Sequence, residues 1–450
     1  MTMEATVSQS RSAARVSRRR LRLGVRLGAG AGAVAVLAAA GCSSSGSPSA
    51  SSSGPVSITY WTSSTQAEIN WLDSHFNSTH KGIKVTGQYI ASADNTTAKE
   101  VAALKSNTEP NVVIGQDPSA LPLLAESGKI VPLNKPLAAQ TSALYPGIRS
   151  ALFYKGQQLG LALGGVGNYV LFYNKSDFAK AGISGPPTTW TQLEADAIKL
   201  SDPAKHHYGI YIPLGSSEWI SYEWEALLWA NGGQFMNSSN TKVAFDSPAG
   251  VQALTTWVNL VQKDHAAPTT SYAQAGSFDG APAFAGNDVA MIIDGQWAVS
   301  TFTTAKINYG VALVPAGTSG QSAANIGIGV ATVFNKSAAT NKAALTFVQW
   351  LGSAQTGAYL TATSGGLPSA PDQLTQPMVQ AEQAKSPTYS VFAEQLKYGH
   401  SRPTIPAYSA ISLALSNEIY AALQGKISPA AALATAAAQG NQAIANGSGT

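Results

Sequence analysis

The chain has 450 residues, with 28 basic and 24 acidic side chains and a formal net charge of +4. The basic excess lies at one end, because residues 1–26 carry seven arginines against one acid, Glu4. Without residues 1–41, 21 basic residues (28 less 7) remain against 23 acidic ones (24 less 1), a net charge of −2. The charge of the whole chain therefore does not indicate a nucleic-acid partner.

Residues 1–41 have the composition of an export signal. The basic segment is followed by the uncharged stretch LGAGAGAVAVLAAAG (27–41), which is shorter than the ~20 apolar residues that span a bilayer. Cys42, the only cysteine, comes next and resembles the lipidated cysteine of a bacterial lipoprotein signal. An ordinary signal peptide cut nearby is the alternative. Residues 42–55 are rich in Ser and Gly, which predicts a flexible tether.

The chain after the tether begins with a strand, a helix and a strand. VSITYW (56–61) alternates β-branched and aromatic residues, and IKVTGQYI (83–90) reads as a second strand. Between them, Ile69, Leu72 and Phe76 recur at helical spacing. This order predicts a βαβ unit and a largely parallel sheet, in which polar loops at the carboxyl ends of the strands bind ligands.

The stretch 159–200 contains a predicted strand, NYVLFYNK, a helical turn closed by Gly182, and a helix that begins after two prolines and a Thr cap. Together with seven other segments in the same order, it resembles the extracellular solute-binding proteins of ABC importers, in the sugar-binding group that includes maltose-binding protein. The eight segments are 110–134, 159–200, 245–261, 284–299, 307–317, 341–351, 365–369 and 406–439.

The resemblance implies an α/β fold of two lobes joined by three hinge crossings. On this chain the crossings would lie near Leu163–Gly165, near Gly310 and near Gly365–Leu367. Glycines suit segments that absorb changes in φ and ψ, although they are also common in ordinary turns. The expected N-terminal lobe is then 56–164 plus 311–365, and the expected C-terminal lobe is 165–310 plus 366–450.

The resemblance also implies a ligand site between the lobes. Trp297, in DGQW, corresponds to a tryptophan that stacks on sugar, or it packs the hinge. Tyr222 corresponds to a stacking aromatic in an aromatic-rich segment, some of whose members must be core. Asp117 corresponds to an acid that binds hydroxyls, or it caps the helix that follows. Flat aromatic faces and fixed hydrogen-bond partners are what a neutral sugar requires.

Two further parts of the site are expected from the same resemblance. Thr62, Ser63 and Ser64 follow the first strand, where relatives place polar ligand contacts. Arg402 corresponds to an arginine that some relatives bring to the ligand, with an exposed salt bridge as the alternative. Ser412 replaces an aromatic residue of maltose-binding relatives, and NIGIGVA (325–331) lacks a tryptophan found in several of them, so a short ligand is favoured over a long maltodextrin.

The predicted function is a lipid-anchored receptor on the outer face of the membrane that delivers a mono- to oligosaccharide to an ABC permease. It is expected to act as a monomer, with no cofactor, metal or nucleic acid. The same fold binding glycerol-3-phosphate is an alternative, which requires a cationic cleft formed by Arg402 with Lys155 or Lys175. A sensor role that uses a membrane kinase also stays open.

A secreted carbohydrate-cleaving enzyme is the alternative from another class. It would require two carboxylates at the separation used by glycosidases, and Asp117 and Glu223 are the first pair to consider. The six histidines show no HExxH and no triad motif. Glu218 and Glu225 flank aromatics on a predicted helix and are interpreted as its polar edge. Catalytic residues are therefore not predicted.

Overall fold

The computed structural model describes residues 54–90, 96–215, 217–272 and 280–447. The predicted signal segment and Cys42 lie outside these residues, as does most of the predicted tether. Twelve strands are found in the described part of the chain. In chain order the strands are Val56–Thr62 (β1), Ile83–Tyr89 (β2), Val112–Gln116 (β3), Phe153–Tyr154 (β4), Gln157–Gln158 (β5), Leu161–Ala162 (β6), Tyr169–Asn174 (β7), Met291–Gly295 (β8), Tyr309–Ala312 (β9), Ala324–Asn325 (β10), Val330–Val333 (β11) and Gly399–His400 (β12).

Helices surround these strands, and several are connected through single 3₁₀ turns. The α-helices are Gln66–Thr79 (α1), Thr96–Ser106 (α2), Leu121–Ala125 (α3), Ala138–Ala143 (α4), Pro146–Ser150 (α5), Lys175–Lys180 (α6), Trp190–Leu200 (α7), Glu218–Ala230 (α8), Pro248–Val258 (α9), Ala281–Ala285 (α10), Val299–Thr304 (α11), Ala338–Leu351 (α12), Ala354–Ser364 (α13), Pro377–Lys385 (α14), Tyr389–Gln395 (α15), Tyr408–Leu423 (α16) and Pro429–Ala445 (α17). A π-helical turn, Asn259–Lys263, extends α9.

Local signals in the sequence account for the helices that were predicted. In α1, Ile69, Leu72 and Phe76 are buried, and the Thr65 side chain accepts a hydrogen bond from the Glu68 amide at the N-terminus. The α7 helix begins in the same way, with the Thr189 side chain accepting from the amide of Gln192. Both helices thus bury one apolar face and are capped by the threonine that precedes them.

A five-stranded sheet has the order β2-β1-β3-β11-β6. Its first three strands are parallel, as the βαβ pattern predicts. The β11 strand instead runs antiparallel to both β3 and β6. Four of the five strands therefore run in the same direction, as expected, and only β11 is reversed. The reason is that β11 returns from a second sheet and is not connected to β3 through a βαβ crossover.

The second sheet has the order β8-β7-β9 and is antiparallel throughout. Along β7, alternate side chains point into different hydrophobic clusters, as the two-residue period of a strand requires. Tyr169 and Leu171 pack in one cluster with Trp224. Val170 and Phe172 pack in the other, which also covers the five-stranded sheet. Within the described residues, no helix has both the length and the apolar character needed to cross a membrane.

Three segments come together near residues 166, 327 and 367, because the first of them pairs with each of the other two. The chain passes from β6 to β7 through residues 163–168, where Val166 pairs with Leu367 and Gly167 pairs with Gly327. The segments at residues 163–168 and at Leu367 lie where the first and third crossings were expected. Gly310, in contrast, lies inside β9 and pairs with Tyr173. The pairing thus favours Gly327 over Gly310 as the second crossing, and the lobe limits stay predictions.

Candidate functional site

Polar side chains lie together at the carboxyl ends of β1 and β3. The two strands are parallel neighbours, with Thr62 paired to Ile114. Thr62 is buried, and its hydroxyl both donates to Ser64 Oγ (3.0 Å) and accepts from the Ser64 amide (3.2 Å). Ser63 is exposed and Ser64 is half-buried. Thr62 therefore shapes the loop, whereas the two serines have hydroxyls that a ligand can reach.

Asp117 follows β3 at the same edge of the sheet. Its Oδ1 accepts a hydrogen bond from the Ser119 amide (2.8 Å), which caps the 3₁₀ turn Pro118–Ala120. Its Oδ2 accepts from Arg402 Nη2 (2.8 Å). The capping role considered for Asp117 is thus present in the structure, and its role in ligand binding stays a prediction. Thr62, Ser63, Ser64 and Asp117 are together called the polar rim.

Two aromatic side chains of the site come from α8. This helix is apolar on nearly all sides and is buried from Ile220 to Ala230. Trp219 and Tyr222, three residues apart, lie on one face and stack with ring centroids 5.3 Å apart. The hydroxyl of Tyr169 donates to the Tyr222 carbonyl (2.9 Å) and fixes this part of the helix against β7. Tyr222 is itself only 7% exposed, so Trp219 offers more accessible aromatic surface.

Trp297 follows β8 and completes this aromatic surface. Its ring meets that of Trp219 edge to face, with centroids 5.8 Å apart. A Cβ atom on Gly295 would lie 2.2 Å from the indole, and one on Gly167 would lie 3.3 Å from it. Glycine is therefore required at position 295 for the indole to occupy this position. Trp219, Tyr222 and Trp297 are together called the aromatic wall.

Arg402 joins the polar rim to the aromatic wall. Its guanidinium donates to Asp117 Oδ2 (2.8 Å) and to Glu218 Oε1 (2.7 Å), and its side chain is 17% exposed. The guanidinium carbon lies 5.6 Å from the centroid of the Tyr222 ring, within reach of a cation–π contact. Burial alone would lower the pKa of Arg402, but the negative charges of Asp117 and Glu218 raise it above its ordinary value. The salt bridge considered for this arginine is present, with the guanidinium side chain largely covered and the two carboxylates partly exposed.

Two residues of this arrangement, Trp219 and Glu218, were not predicted as members of the site. The i, i+3 spacing of Trp219 and Tyr222 on one helix could have indicated the tryptophan. Glu218 could not be assigned, because its partner Arg402 lies 184 residues away in the sequence. Glu218 Oε1 also accepts a hydrogen bond from the hydroxyl of Tyr408 (3.0 Å). Glu218 therefore holds the arginine in place.

The interpretation of Glu225 as part of a polar helix edge is wrong. Glu225 is fully buried and accepts a hydrogen bond from Asn325 Nδ2, and burial raises its pKa well above the ordinary value. Glu223 is 2% exposed. The reason is that α8 lies inside the fold and has no solvent-facing stripe over its length.

A buried acid also lies directly before the aromatic wall. Asp294, at the end of β8, is fully buried, and its Oδ1 accepts from the Gly295 amide (2.7 Å). Burial raises the pKa of Asp294 to about 7, while the Gly295 amide and the Trp297 side chain lower it. Its charge therefore depends on pH near neutrality.

The lysines considered for a charged ligand lie elsewhere. Lys155 is exposed in the turn between β4 and β5, with its ammonium 4.9 Å from the Tyr154 ring centroid. Lys175 is exposed and begins α6, at the opposite end of β7 from Tyr169. The paired strand β8 brings Gly295, and hence Trp297, beside Tyr169. Arg402 is thus the cation that the structure places at the wall.

The sequence of this chain is similar to those of several known binding proteins. The family model described as bacterial extracellular solute-binding protein matches residues 57–358. A binding protein of Brucella abortus is 27% identical over 278 residues, which are 60% of this chain, and the chain spans 64% of that protein's length. The sn-glycerol-3-phosphate-binding periplasmic protein UgpB of Pectobacterium atrosepticum is 25% identical over 405 residues, covering 83% of this chain and 87% of that protein.

Among solved structures, the cyclic alpha-maltosyl-1,6-maltose binding protein of Arthrobacter globiformis has a TM-score of 0.78 at 25% identity. The alignment covers 87% of this chain and 100% of that one. The predicted α/β fold of two lobes is therefore confirmed. Since the family model covers most of the chain, this protein belongs to the family of bacterial extracellular solute-binding proteins.

Proposed function

We propose that this chain is a receptor that binds a short carbohydrate between its two lobes and delivers it, unchanged, to an ABC importer. One observation carries the proposal: an aromatic wall lies beside a rim of hydrogen-bonding groups, with a guanidinium between them. Aromatic faces pack on the apolar faces of a sugar ring, while hydroxyl, carboxylate and guanidinium groups bind its hydroxyls. Closure of the lobes over the ligand would form the shape that docks on the permease.

A charged ligand is the second candidate, because one relative is named as binding sn-glycerol-3-phosphate. The charges of the site do not favour it. Arg402 is already paired with two carboxylates, Asp117 and Glu218, so the three groups together carry a net negative charge. A phosphate there would be repelled unless the arginine left one carboxylate. The neutral carbohydrate is therefore the ligand that we favour.

Binding without catalysis is the reading that fits the carboxylates. Both Asp117 and Glu218 accept from one guanidinium, and Glu223 is buried in α8. A glycosidase needs one protonated and one ionised carboxyl facing the scissile bond. Asp117, Glu218 and Glu223 do not form such a pair, so the ligand is expected to leave with its bonds intact.

Thermal unfolding of the protein against a panel of sugars, polyols, glycerol phosphates and peptides tests the proposal. A ligand at about 100 times its Kd stabilises the folded state by roughly 2.7 kcal/mol, which raises Tm by a few degrees. We expect a sugar to raise Tm and the glycerol phosphates to leave it unchanged. A rise with glycerol phosphates alone would move the assignment to the second candidate. If no sugar shifts Tm, the carbohydrate assignment is wrong.

We also propose that the protein is exported and anchored through a lipidated Cys42. The composition of residues 1–55 and the membership of an extracellular family support this. A single acyl chain gives only marginal binding to a membrane, so several chains are expected on the cysteine. Mass spectrometry of the mature N-terminus tests the modification, and Cys42→Ser should move the protein from the membrane fraction to the medium. An unmodified cysteine in a membrane-bound protein would contradict it.

A further inference from the structure

Arg402 lies where the aromatic wall ends. Along the wall, Trp297 contacts Trp219, Trp219 stacks on Tyr222, and the guanidinium of Arg402 follows at 5.6 Å from the Tyr222 ring. Two ion pairs fix this guanidinium, one to Asp117 across from the wall and one to Glu218 beside it. Two charge-assisted hydrogen bonds restrain this side chain, and both would have to break for it to swing away.

Little space is left between this arginine and the polar rim. The cavity enclosed by Asp117, Ser119, Ala151 and Arg402 has a volume of about 10 Å³, close to the minimum for one water molecule. A sugar ring that lies along the aromatic wall toward Tyr222 therefore meets the guanidinium at this end.

A much larger cavity is also lined by the Arg402 side chain. Its volume is about 420 Å³, which is in the range of ~300–1,000 Å³ that ligand pockets have. It is lined by aromatic, amide and hydroxyl groups, among them Phe153, Trp229, Asn237, His400 and Arg402. Arg402 thus belongs to the lining of this cavity as well as to the site.

We propose that Arg402 determines the length of the saccharide that this protein accepts, by separating the aromatic wall from the larger cavity. The inference rests on the proposed function and deepens it: the cargo ends against the guanidinium, so it is a short saccharide bound by one end. Arg402 has five N–H groups and uses two in the ion pairs with described residues. The others can donate to hydroxyls of the terminal ring.

The absence of an aromatic side chain at position 412 of α16 agrees with this limit. Ser412 lies on α16, where its hydroxyl is 3.0 Å from that of Ser221 on α8, and both serines are buried. The two helices therefore pack directly against each other at this point. An additional stacking surface for a further sugar ring is not formed there.

Calorimetric titration of the protein with saccharides of one to four rings tests the proposal. Three homologous series, α-1,4-glucans, β-1,4-glucans and β-1,4-xylans, serve as probes. In the series that binds, we expect Kd to rise by about tenfold or more beyond the favoured length. Arg402→Ala should remove that rise, because it joins the site to the larger cavity. Arg402→Lys keeps the cation and most of the side-chain length, so the rise should persist.

The outcomes separate this inference from the proposed function. Equal affinity of the native protein for two- and four-ring saccharides would overturn the length limit and leave the carbohydrate assignment intact. A length limit that persists in Arg402→Ala, in a variant whose thermal unfolding shows it to be folded, would also overturn it. If Arg402→Ala does not fold, Arg402→Gln replaces it and the same comparison applies. Failure of every saccharide to bind any form would overturn the proposed function and the inference with it.

Discussion

The polar rim and the aromatic wall face the same site but are built in different ways. The rim is positioned by short-range contacts: Thr62 binds Ser64, and Asp117 caps the turn that contains Ser119. The wall joins Trp297 to residues of α8, more than seventy positions earlier in the chain. Rim positions can therefore be predicted from strand ends, whereas the wall depends on the packing of α8 against β7 and β8.

The two regions also differ in how much accessible surface they retain. In the rim, Thr62, Ser64 and Asp117 already have protein partners, although Ser64 and Asp117 stay partly exposed, and Ser63 is exposed. In the wall, Trp219 and Trp297 are half-buried and Tyr222 is nearly covered. We infer that the wall supplies most of the binding free energy and that the rim supplies orientation.

The largest expected effect concerns the buried acids behind the two regions. Behind the rim, Glu100 is fully buried, and burial raises its pKa to about 8. Its carboxylate faces the Gln116 side chain, whose amide nitrogen can donate to both oxygens. The folded protein keeps this proton while the unfolded chain loses it near its ordinary value of 4.5. The stability contributed by the protonated group is therefore complete below about pH 4.5 and is lost as pH rises toward 8.

Glu100→Gln should remove this loss and raise the free energy of unfolding above pH 8 by roughly 2–4 kcal/mol relative to the native protein. Urea unfolding at several pH values measures it. For Asp294, behind the wall, stability is lost as pH rises from the ordinary value of 3.8 toward about 7. Asp294→Asn should therefore remove the loss of stability over that pH range. If both variants keep the pH dependence of unfolding seen in the native protein, the raised pKa values of these two acids are wrong.

Truncating the wall is expected to have the next largest effect. Trp297→Ala should weaken ligand binding by about 2 kcal/mol, roughly 30-fold, because the apolar face of the sugar loses its partner. Calorimetric titration with the sugar found in the thermal screen measures this. Trp71→Ala, which removes an aromatic ring that stacks on Tyr359, is the matched control and should leave Kd unchanged. Equal effects of the two variants on Kd would show that the wall does not supply most of the binding free energy.

A smaller effect is expected where the backbone supports the wall. Gly295→Ala places a methyl group 2.2 Å from the indole of Trp297, and the ring must move. We expect binding to weaken by about 1–2 kcal/mol with Trp297 still present. Gly185→Ala is the control, because a Cβ atom at Gly185 meets nothing within 4 Å. The fluorescence of the tryptophans should change in the first variant only, and native fluorescence with native affinity would show that the indole tolerates the methyl group.

The smallest effect is expected in the rim. Ser63→Ala removes one accessible hydroxyl and should weaken binding by about 1 kcal/mol, roughly fivefold. Ser74→Ala, on the exposed face of α1, removes a hydroxyl whose partners in the described structure are the Trp71 carbonyl and the His75 imidazole and should have no effect on Kd. If Ser63→Ala weakened binding more than Trp297→Ala, the rim would be the principal source of affinity and the comparison would be reversed.

Much of the fold could be predicted from the sequence, because its signals act over a few residues. The alternation in β1, the helical spacing of Ile69, Leu72 and Phe76, and the threonine cap of α7 all appear in the structure as expected. The two-lobed fold followed from the order of segments that resemble a known family. For the strand, helix and cap signals, a residue and its partner lie close together in the chain, so that the pattern contains the contact.

Only the tertiary structure decided the contacts between distant segments. Arg402 lies 285 residues from Asp117 and 184 from Glu218, and the sequence spacing of these residues carries no sign of an ion pair. Burial of Glu225 and the pairing of Gly327 with Gly167 depend likewise on where whole helices and strands pack. Burial and charge pairing are properties of the assembled fold, since they arise only when desolvated groups from different elements meet.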